Sequence, residues 1–385
     1  MKKWLGLVIL SCLLVLASCS SNDDSNNKVI KNNTKGDKEK VTVIPQDNSK
    51  DYQTIHSKTP SQTRGYIGYG VTNRKDIDEM EMGLMSLSKE HFSPDKYAFQ
   101  EGRFLSENEI DGMLGRKSKK TPNGLNPPLG KGSNVQEQAM NSPKELSYVL
   151  EQDYLTKESD NKYKLGGISL AISFNSVYQD KVMDSKGQTY DVDVDLDTSK
   201  VKADAKNYAQ KVVQRVRQNK NLKNVPIFVT LYLEASPDSL VPGYFFDKAY
   251  VGQGNSNIGG WQTVNQKYAL FPSVSAGDKH KEDEQSFDKF KSDVQNYFDN
   301  FIGITGEGYY KDNELSNLTF NINLKFYDKT EIVGFTQYVA SLLQSKFPFD
   351  RSIPVQIYIK SNEQPESIIV KNPDMDKPFV HVYHQ

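Results

Sequence analysis

Cys19, preceded by Leu16, Ala17 and Ser18, has the clearest chemistry open to it of any side chain in this 385-residue sequence. It ends an apolar run, Trp4 to Ala17, that begins after Lys2 and Lys3. Two cations, about a dozen apolar residues and small residues before a cut make a secretory signal too short to span a bilayer. A thiolate just after such a cut can be alkylated by a diacylglyceryl group, so Leu16 to Cys19 reads as a lipoprotein-processing box cleaved between Ser18 and Cys19. The abrupt polar break at Ser20 argues against an uncleaved anchor with an incidental cysteine. Cys12, the only other cysteine, falls in the discarded part, so the mature chain keeps no free thiol and forms no disulfide. One acyl chain such as palmitate holds a protein marginally, and two or more hold it lastingly.

Other sets of side chains offer less. Asp191, Asp193, Asp195 and Asp197 alternate with Val192, Val194 and Leu196, so a strand would line one face with four carboxylates, a weak candidate site for a hard cation such as calcium. The run lacks the glycine of a calcium loop, and a solvated strand face that discourages edge pairing is the preferred reading. Ser86 and Lys89 have the Ser-x-x-Lys spacing of penicillin-recognising enzymes, without the Lys-Thr-Gly that completes that site. His56, His91, His280, His381 and His384 are scattered, and no nucleophile elbow, Walker loop, His-Glu-x-x-His or Cys-x-x-Cys occurs. Gly252 to Gly260 is glycine-rich without a dinucleotide fingerprint and reads as a mobile loop. The expectation is a protein without enzymatic activity or cofactor.

These residues have to be placed by a body of modest charge. Of 48 basic and 49 acidic residues, the signal removes Lys2 and Lys3, leaving 46 against 49 and a charge near −3, with no basic stripe for nucleic acid. Residues 19–63 carry the lipidated cysteine and a stretch rich in Asn, Ser, Asp and Lys that is expected to be a disordered spacer. The remaining chain, about 320 residues, repeats a pattern. Val225-Pro226-Ile227-Phe228-Val229 matches Ile353-Pro354-Val355-Gln356-Ile357, each with proline at a strand mouth. Before each lies an amphipathic helix, with Ala205, Tyr208, Ala209, Val212, Val213 and Val216 on one stripe, and Phe335, Tyr338, Val339, Leu342 and Leu343 on the other. Before each helix comes a strand, Ile168 to Phe174 and Leu318 to Phe326. A further helix is expected before each strand, one after Asn141-Ser142-Pro143 carrying Leu146, Val149 and Leu150, one opened by Ser286 with Phe287, Phe290, Val294, Tyr297, Phe298 and Phe301 inward. Later strands are expected at Gly243 to Val251, Ile368 to Lys371 and Phe379 to Tyr383.

The fold class is therefore α+β, with two related lobes from an internal duplication, each helix-strand-helix-strand plus extra strands, behind a signal peptide and linker. The divisions are 1–18, signal peptide; 19–63, lipidated cysteine and linker; 64–140, an extension packed on the first lobe; 141–280, first lobe; 281–385, second lobe. Within the extension, Asp76 to His91 suits a helix with Ile77, Met80, Leu84 and Leu87 inward, Tyr97 to Leu105 a hairpin turning at Glu101-Gly102, and Ser106 to Glu109 a capping box.

The processing box, the spacer, Gly124-Leu125-Asn126-Pro127, Leu150-Glu151-Gln152-Asp153-Tyr154, Asn175-Ser176-Val177-Tyr178 and Gly334-Phe335-Thr336-Gln337-Tyr338-Val339 together resemble the CamS family of sex-pheromone precursor lipoproteins of monoderm bacteria, along essentially the whole chain. The resemblance implies that the end of the cleaved signal peptide is released as a conjugation pheromone. Here that peptide is Cys12-Leu13-Leu14-Val15-Leu16-Ala17-Ser18, with cysteine where the family's peptide starts on a small aliphatic residue. Its uncharged, apolar side chains suit a hydrophobic receptor pocket. The expected partners are the membrane through the lipid anchor, signal peptidase and lipid-transfer machinery, and a pheromone receptor. The expected location is the extracytoplasmic face of the cell membrane. For the body, three readings stand: a non-catalytic binding or interaction module, a ligand-binding protein with a cleft between lobes, and an envelope enzyme with an unfamiliar site.

Overall fold

A computed structural model describes residues 28–30, 38–46, 50–160, 162–297, 303–325, 328–362 and 364–384. In chain order the first part runs β1 (Lys28–Ile30), β2 (Lys38–Ile44), β3 (Thr54–Ser57), α1 (Arg74–Ser88), β4 (Ala98–Glu101), α2 (Glu107–Leu114), α3 (Val135–Met140), β5 (Leu146–Ser159), β6 (Lys162–Phe174), β7 (Val177–Met183), β8 (Thr189–Asp195), α4 (Thr198–Val216), β9 (Ile227–Leu233), β10 (Tyr244–Val251) and β11 (Gln262–Thr263). The second runs β12 (Gln266–Phe271), α5 (Val274–Lys279), α6 (Lys281–Gln295), β13 (Gly303–Lys311), β14 (Glu314–Leu324), α7 (Lys329–Ser345), β15 (Val355–Ser361), β16 (Gln364–Lys371) and β17 (Phe379–Val382). The strands form a sheet ordered β1-β2-β3-β4-β5-β6-β9-β10-β11, a sheet ordered β12 through β17, and the separate hairpin β7-β8.

Each large sheet is built on a parallel crossover. β6 pairs with β9 from Ile168↔Ile227 to Phe174↔Leu233, and β14 with β15 from Leu318↔Val355 to Leu324↔Ser361. The two prolines do the same work. Neither needs an amide in the ladder, and each offers its carbonyl to the first amide of the partner strand, Ile168 N to Pro226 O at 3.1 Å and Leu318 N to Pro354 O at 3.0 Å. The crossover helices bury most of the expected stripes, Ala205, Ala209, Val212, Val213 and Val216 in α4 and Phe335, Val339, Leu342 and Leu343 in α7; Val201 and Ile332 join them, while Tyr208 and Tyr338 are half-buried. Each buried Val, Leu, Ile or Phe contributes about 1.5–3 kcal/mol, so these faces decide where the helices sit. Antiparallel neighbours complete both units, β5 and β10 in one, β13 and β16 in the other.

The architecture is mixed α+β, as the pattern predicts, with several local differences. Leu146, Val149 and Leu150 lie on strand β5, not on a helix. Nearly every residue from Leu146 to Leu155 is buried, and a strand covered on both faces has no alternation to set it apart from a helix stripe. The repeated path is thus strand, strand, helix, strand, strand. The expected hairpin at Glu101-Gly102 is absent: only β4 forms, pairing with β3 and β5. A Cβ on Gly102 would lie 2.4 Å from the Glu151 carbonyl, so this glycine serves a close strand approach rather than a turn. Helix α6 starts at Lys281 rather than Ser286, its first turn holding Glu282, Asp283 and Glu284 where the helix dipole favours acids. Of its inward stripe, Phe287, Phe290 and Val294 are buried, while Phe298 and Phe301 lie outside the described residues.

Two boundaries also move. The stretch read as spacer supplies β2 and β3, whose Val41 and Ile55 bury against Ala98, Leu155 and Tyr163. The second sheet begins at Gln266, before residue 281, because β12 pairs with β13 from Gln266↔Lys311 to Phe271↔Gly306. Between the sheets runs α1, capped by Asn73, with Met80, Leu84 and Leu87 in the first core. Its other side meets the second sheet: Lys75 Nζ lies 2.5 Å from Glu307 Oε2, and Tyr268 OH donates to Glu79 Oε2 at 2.5 Å.

Candidate functional site

Cys12, Leu13, Leu14, Val15, Leu16, Ala17, Ser18 and Cys19 lie outside the described residues. The acidic strand is described. On β8, Asp191, Asp193 and Asp195 face solvent, as does Asp197 beyond it, while Val192, Val194 and Leu196 pack with Tyr178 of β7 and Ala139 of α3. Three of these carboxylates are engaged locally. Asp191 pairs with Lys181 at 3.1 Å, Asp193 accepts from Gln179 at 3.0 Å, and Asp197 caps α4 by accepting from the amides of Ser199 and Lys200. Among the described residues no three His, Cys, Asp or Glu side chains are grouped to hold a metal.

The Ser-x-x-Lys residues are not brought to one another's service. Ser86 is exposed, and the Lys89 ammonium sits 3.6 Å from Asp51 and 5.9 Å from the centre of the Tyr52 ring. The buried hydroxyl of that turn is Ser88, 2.6 Å from Leu84 O and 2.7 Å from Ser169 Oγ. His91 stacks on Tyr250 and His280 on Tyr310, with ring centres 4.4 and 3.8 Å apart, and burial lowers the pKa of both. The glycine-rich loop is not loose. Arg217 donates to the carbonyls of Asn255 at 2.7 Å and Gly252 at 3.1 Å, as well as to Leu222 and Val225, and Gln210 holds Ser256 and Ile258.

Three hollows follow the outward side of α4. A hollow of about 570 Å³ lies at its N-terminal half, a second of about 370 Å³ further on, and a third of about 260 Å³ beside its last turn. Lys211 lines the first two, and Arg215 and Gln218 line the last two, so the three follow one helix face. In the first, Lys200 Nζ reaches Glu145 Oε1 at 2.7 Å and Asp204 Oδ2 at 2.9 Å, and these carboxylates raise its pKa. Facing α4 is the Lys117–Asn126 turn, held by one buried side chain. Asn126 Nδ2 donates to Leu114 O and Leu146 O, both at 2.8 Å, and its Oδ1 accepts from the amides of Glu145 and Leu146, both at 3.0 Å. Gly124 is required beside it, since a Cβ there would come within 2.5 Å of the Gly115 carbonyl. Sequence reading missed Glu145, Lys200, Lys211 and Arg215 because they lie up to 98 residues from Lys117 along the chain. The Gly124-Leu125-Asn126-Pro127 run was the one available pointer.

Several carboxyls are buried away from this groove, Glu151, Asp153 and Glu234 among them. Glu151 is pushed up to about 7 by burial, against the Leu105 and Phe104 amides that bond it, and Asp153 is raised as well, by burial and by the neighbouring Glu151. Glu234 is pushed up to about 8 by burial, beside Ser173 and Ser147. Glu151 and Asp153 follow a stretch that reads as a helix, and Glu234 stands alone after its strand, so no spacing marked them.

Comparison with known proteins bears on the whole body. The sequence profile of the family described as CamS sex pheromone cAM373 precursor matches residues 59–377. The chain is similar to a crystallised sex pheromone precursor from Lactobacillus salivarius subsp. salivarius UCC118, with 34% identity over 90% of this chain and 99% of that one and a TM-score of 0.78. It is also similar to the C-terminal domain of the sex pheromone staph-cAM373 precursor from Staphylococcus aureus, with 30% identity over 83% of this chain and 100% of that one and a TM-score of 0.67. No curated protein matches it significantly.

Proposed function

This chain belongs to the CamS sex pheromone precursor family, and from that premise we propose that it is a membrane-anchored extracytoplasmic lipoprotein whose cleaved signal releases Cys12 to Ser18 as an apolar pheromone peptide. The observation that carries the reading is Leu16-Ala17-Ser18-Cys19 at the end of a signal-length apolar run, in a chain whose similar structures are sex pheromone precursors. Signal peptidase and lipid-transfer machinery act on Cys19, and a receptor in the responding cell takes the peptide. The exported body is a non-catalytic binding module. The concave face along α4 supports a binding role, because it offers ordered polar and apolar walls.

Metabolic labelling with a radioactive fatty acid tests the anchor: wild-type protein takes up label, and Cys19→Ala loses it and accumulates as precursor. Label persisting in the variant would sink the reading. Synthetic Cys12 to Ser18 peptide applied to plasmid-carrying cells tests the signal. Clumping or raised transfer at nanomolar to micromolar doses is expected, and no response would leave only the lipoprotein.

A further inference from the structure

We propose that the hollow between the C-terminal half of α4 and the Lys117–Asn126 turn binds a phosphate-bearing ligand. Lys117, Lys211 and Arg215 line this space of about 370 Å³, and no carboxylate does. None of the three has an ion-pair partner among the described residues, in contrast to Lys200 in the adjoining hollow, which is held between Glu145 and Asp204. Lys211 Nζ rests over the Tyr208 ring, 5.7 Å from its centre, a contact that leaves its charge unneutralised. In a chain with 48 basic and 49 acidic residues, three cations without an ion-pair partner at one concavity are a local excess that the composition does not supply by default.

One term opposes an anion here. The hollow lies toward the C-terminal end of α4, where the helix dipole amounts to roughly half a negative charge. Three full positive charges outweigh it, and part of that end is already capped, by Arg217 N to Val213 O and Gln218 N to Arg215 O, both at 2.9 Å. Phosphate suits the set better than a single carboxylate. Arg215 brings a planar fork that matches two phosphate oxygens, and two ammonium groups are left for the remaining charge of a dianion. The space exceeds one ion, and Leu125 and Pro122 give an apolar wall for the organic part of the ligand. The Asn126 and Gly124 contacts hold that wall in place before any ligand arrives, which limits the ordering cost of binding.

The test is titration calorimetry on the full chain with inorganic phosphate and glycerol 3-phosphate, and co-sedimentation with phosphatidylglycerol or pure phosphatidylcholine vesicles. Variants Lys211→Gln and Arg215→Gln are compared with Lys181→Gln in the distant hairpin, all checked for unchanged thermal unfolding. Soluble phosphate is expected to bind, more weakly as sodium chloride rises from about 50 to about 500 mM, because salt screens exposed charges. Each groove variant is expected to weaken binding by about ten-fold, the loss of one charge-assisted bond, while Lys181→Gln changes nothing. Binding of phosphatidylglycerol vesicles alone, with the same dependence on Lys211 and Arg215, would identify the source as a lipid headgroup and support the site. No binding of any phosphate probe at millimolar concentration, or binding indifferent to both groove variants, would overturn it.

Discussion

Replacing Glu234 with glutamine should make the protein more resistant to alkaline unfolding. Glu234 follows β9, only 8% exposed, with Ser173 Oγ donating to its Oε1. Burial pushes it up to about 8 from an ordinary value of 4.5. Because its folded pKa is raised, the folded chain holds a proton that the unfolded chain has released between those values. Its contribution is therefore fully present below about pH 4.5, declines as pH rises, and is gone above about pH 8. At about 1.36 kcal/mol per unit, the loss is on the order of 4–5 kcal/mol, a large share of a typical domain stability. Glutamine keeps the shape and the acceptor for Ser173 but has no proton to lose. Urea midpoints measured from pH 5 to pH 9 should show wild type and Glu234→Gln nearly together at pH 5, then diverging, with the variant more stable by several kcal/mol at pH 9. Glu79 and Glu151, also raised by burial to about 7, steepen the wild-type curve, but they are common to both proteins and cancel in the difference. Two curves that stay parallel over this range would refute the reasoning.

Two further substitutions test the framework around the groove. Asn126→Ala strips partners from two carbonyls and two amides, of which those of Leu146 are buried and those of Leu114 and Glu145 half-buried, and should lower stability by about 2–4 kcal/mol in thermal or urea unfolding. Arg217→Lys cannot reproduce a fork that reaches four carbonyls, so amide exchange should accelerate across Gly252 to Gly260 while the β9 amides stay protected.

The parallel crossovers were legible because two signals agreed there: a proline at each strand mouth and helix stripes from Ala205 to Val216 and from Phe335 to Leu343. Where only one signal existed, reading failed. β5 is buried on both faces, so Leu146, Val149 and Leu150 fit a helix as well as a strand. The polar composition of residues 38–57 concealed β2 and β3, where Val41 and Ile55, with Tyr52 between the strands, do the burying. The groove was invisible for a different reason. Its charges come from a turn near Lys117, a loop near Glu145 and a helix near Lys211, and only the fold makes them neighbours.

The strand pair that replaces part of the expected spacer sets a lower limit on what can be cut away. Starting the chain at Arg64, as composition suggests, would remove β2 and β3 and strip the Phe99 amide of its bond to Gln53 O at 2.8 Å. It would also take Tyr52, whose hydroxyl holds Phe92 O at 2.5 Å and whose ring meets Tyr154. β4 would become a bare margin with Ala98 and Leu155 uncovered, a template on which another molecule's strand could settle. The polar lead-in is therefore a guard against self-association, and a recombinant fragment made without it is the version most prone to aggregate.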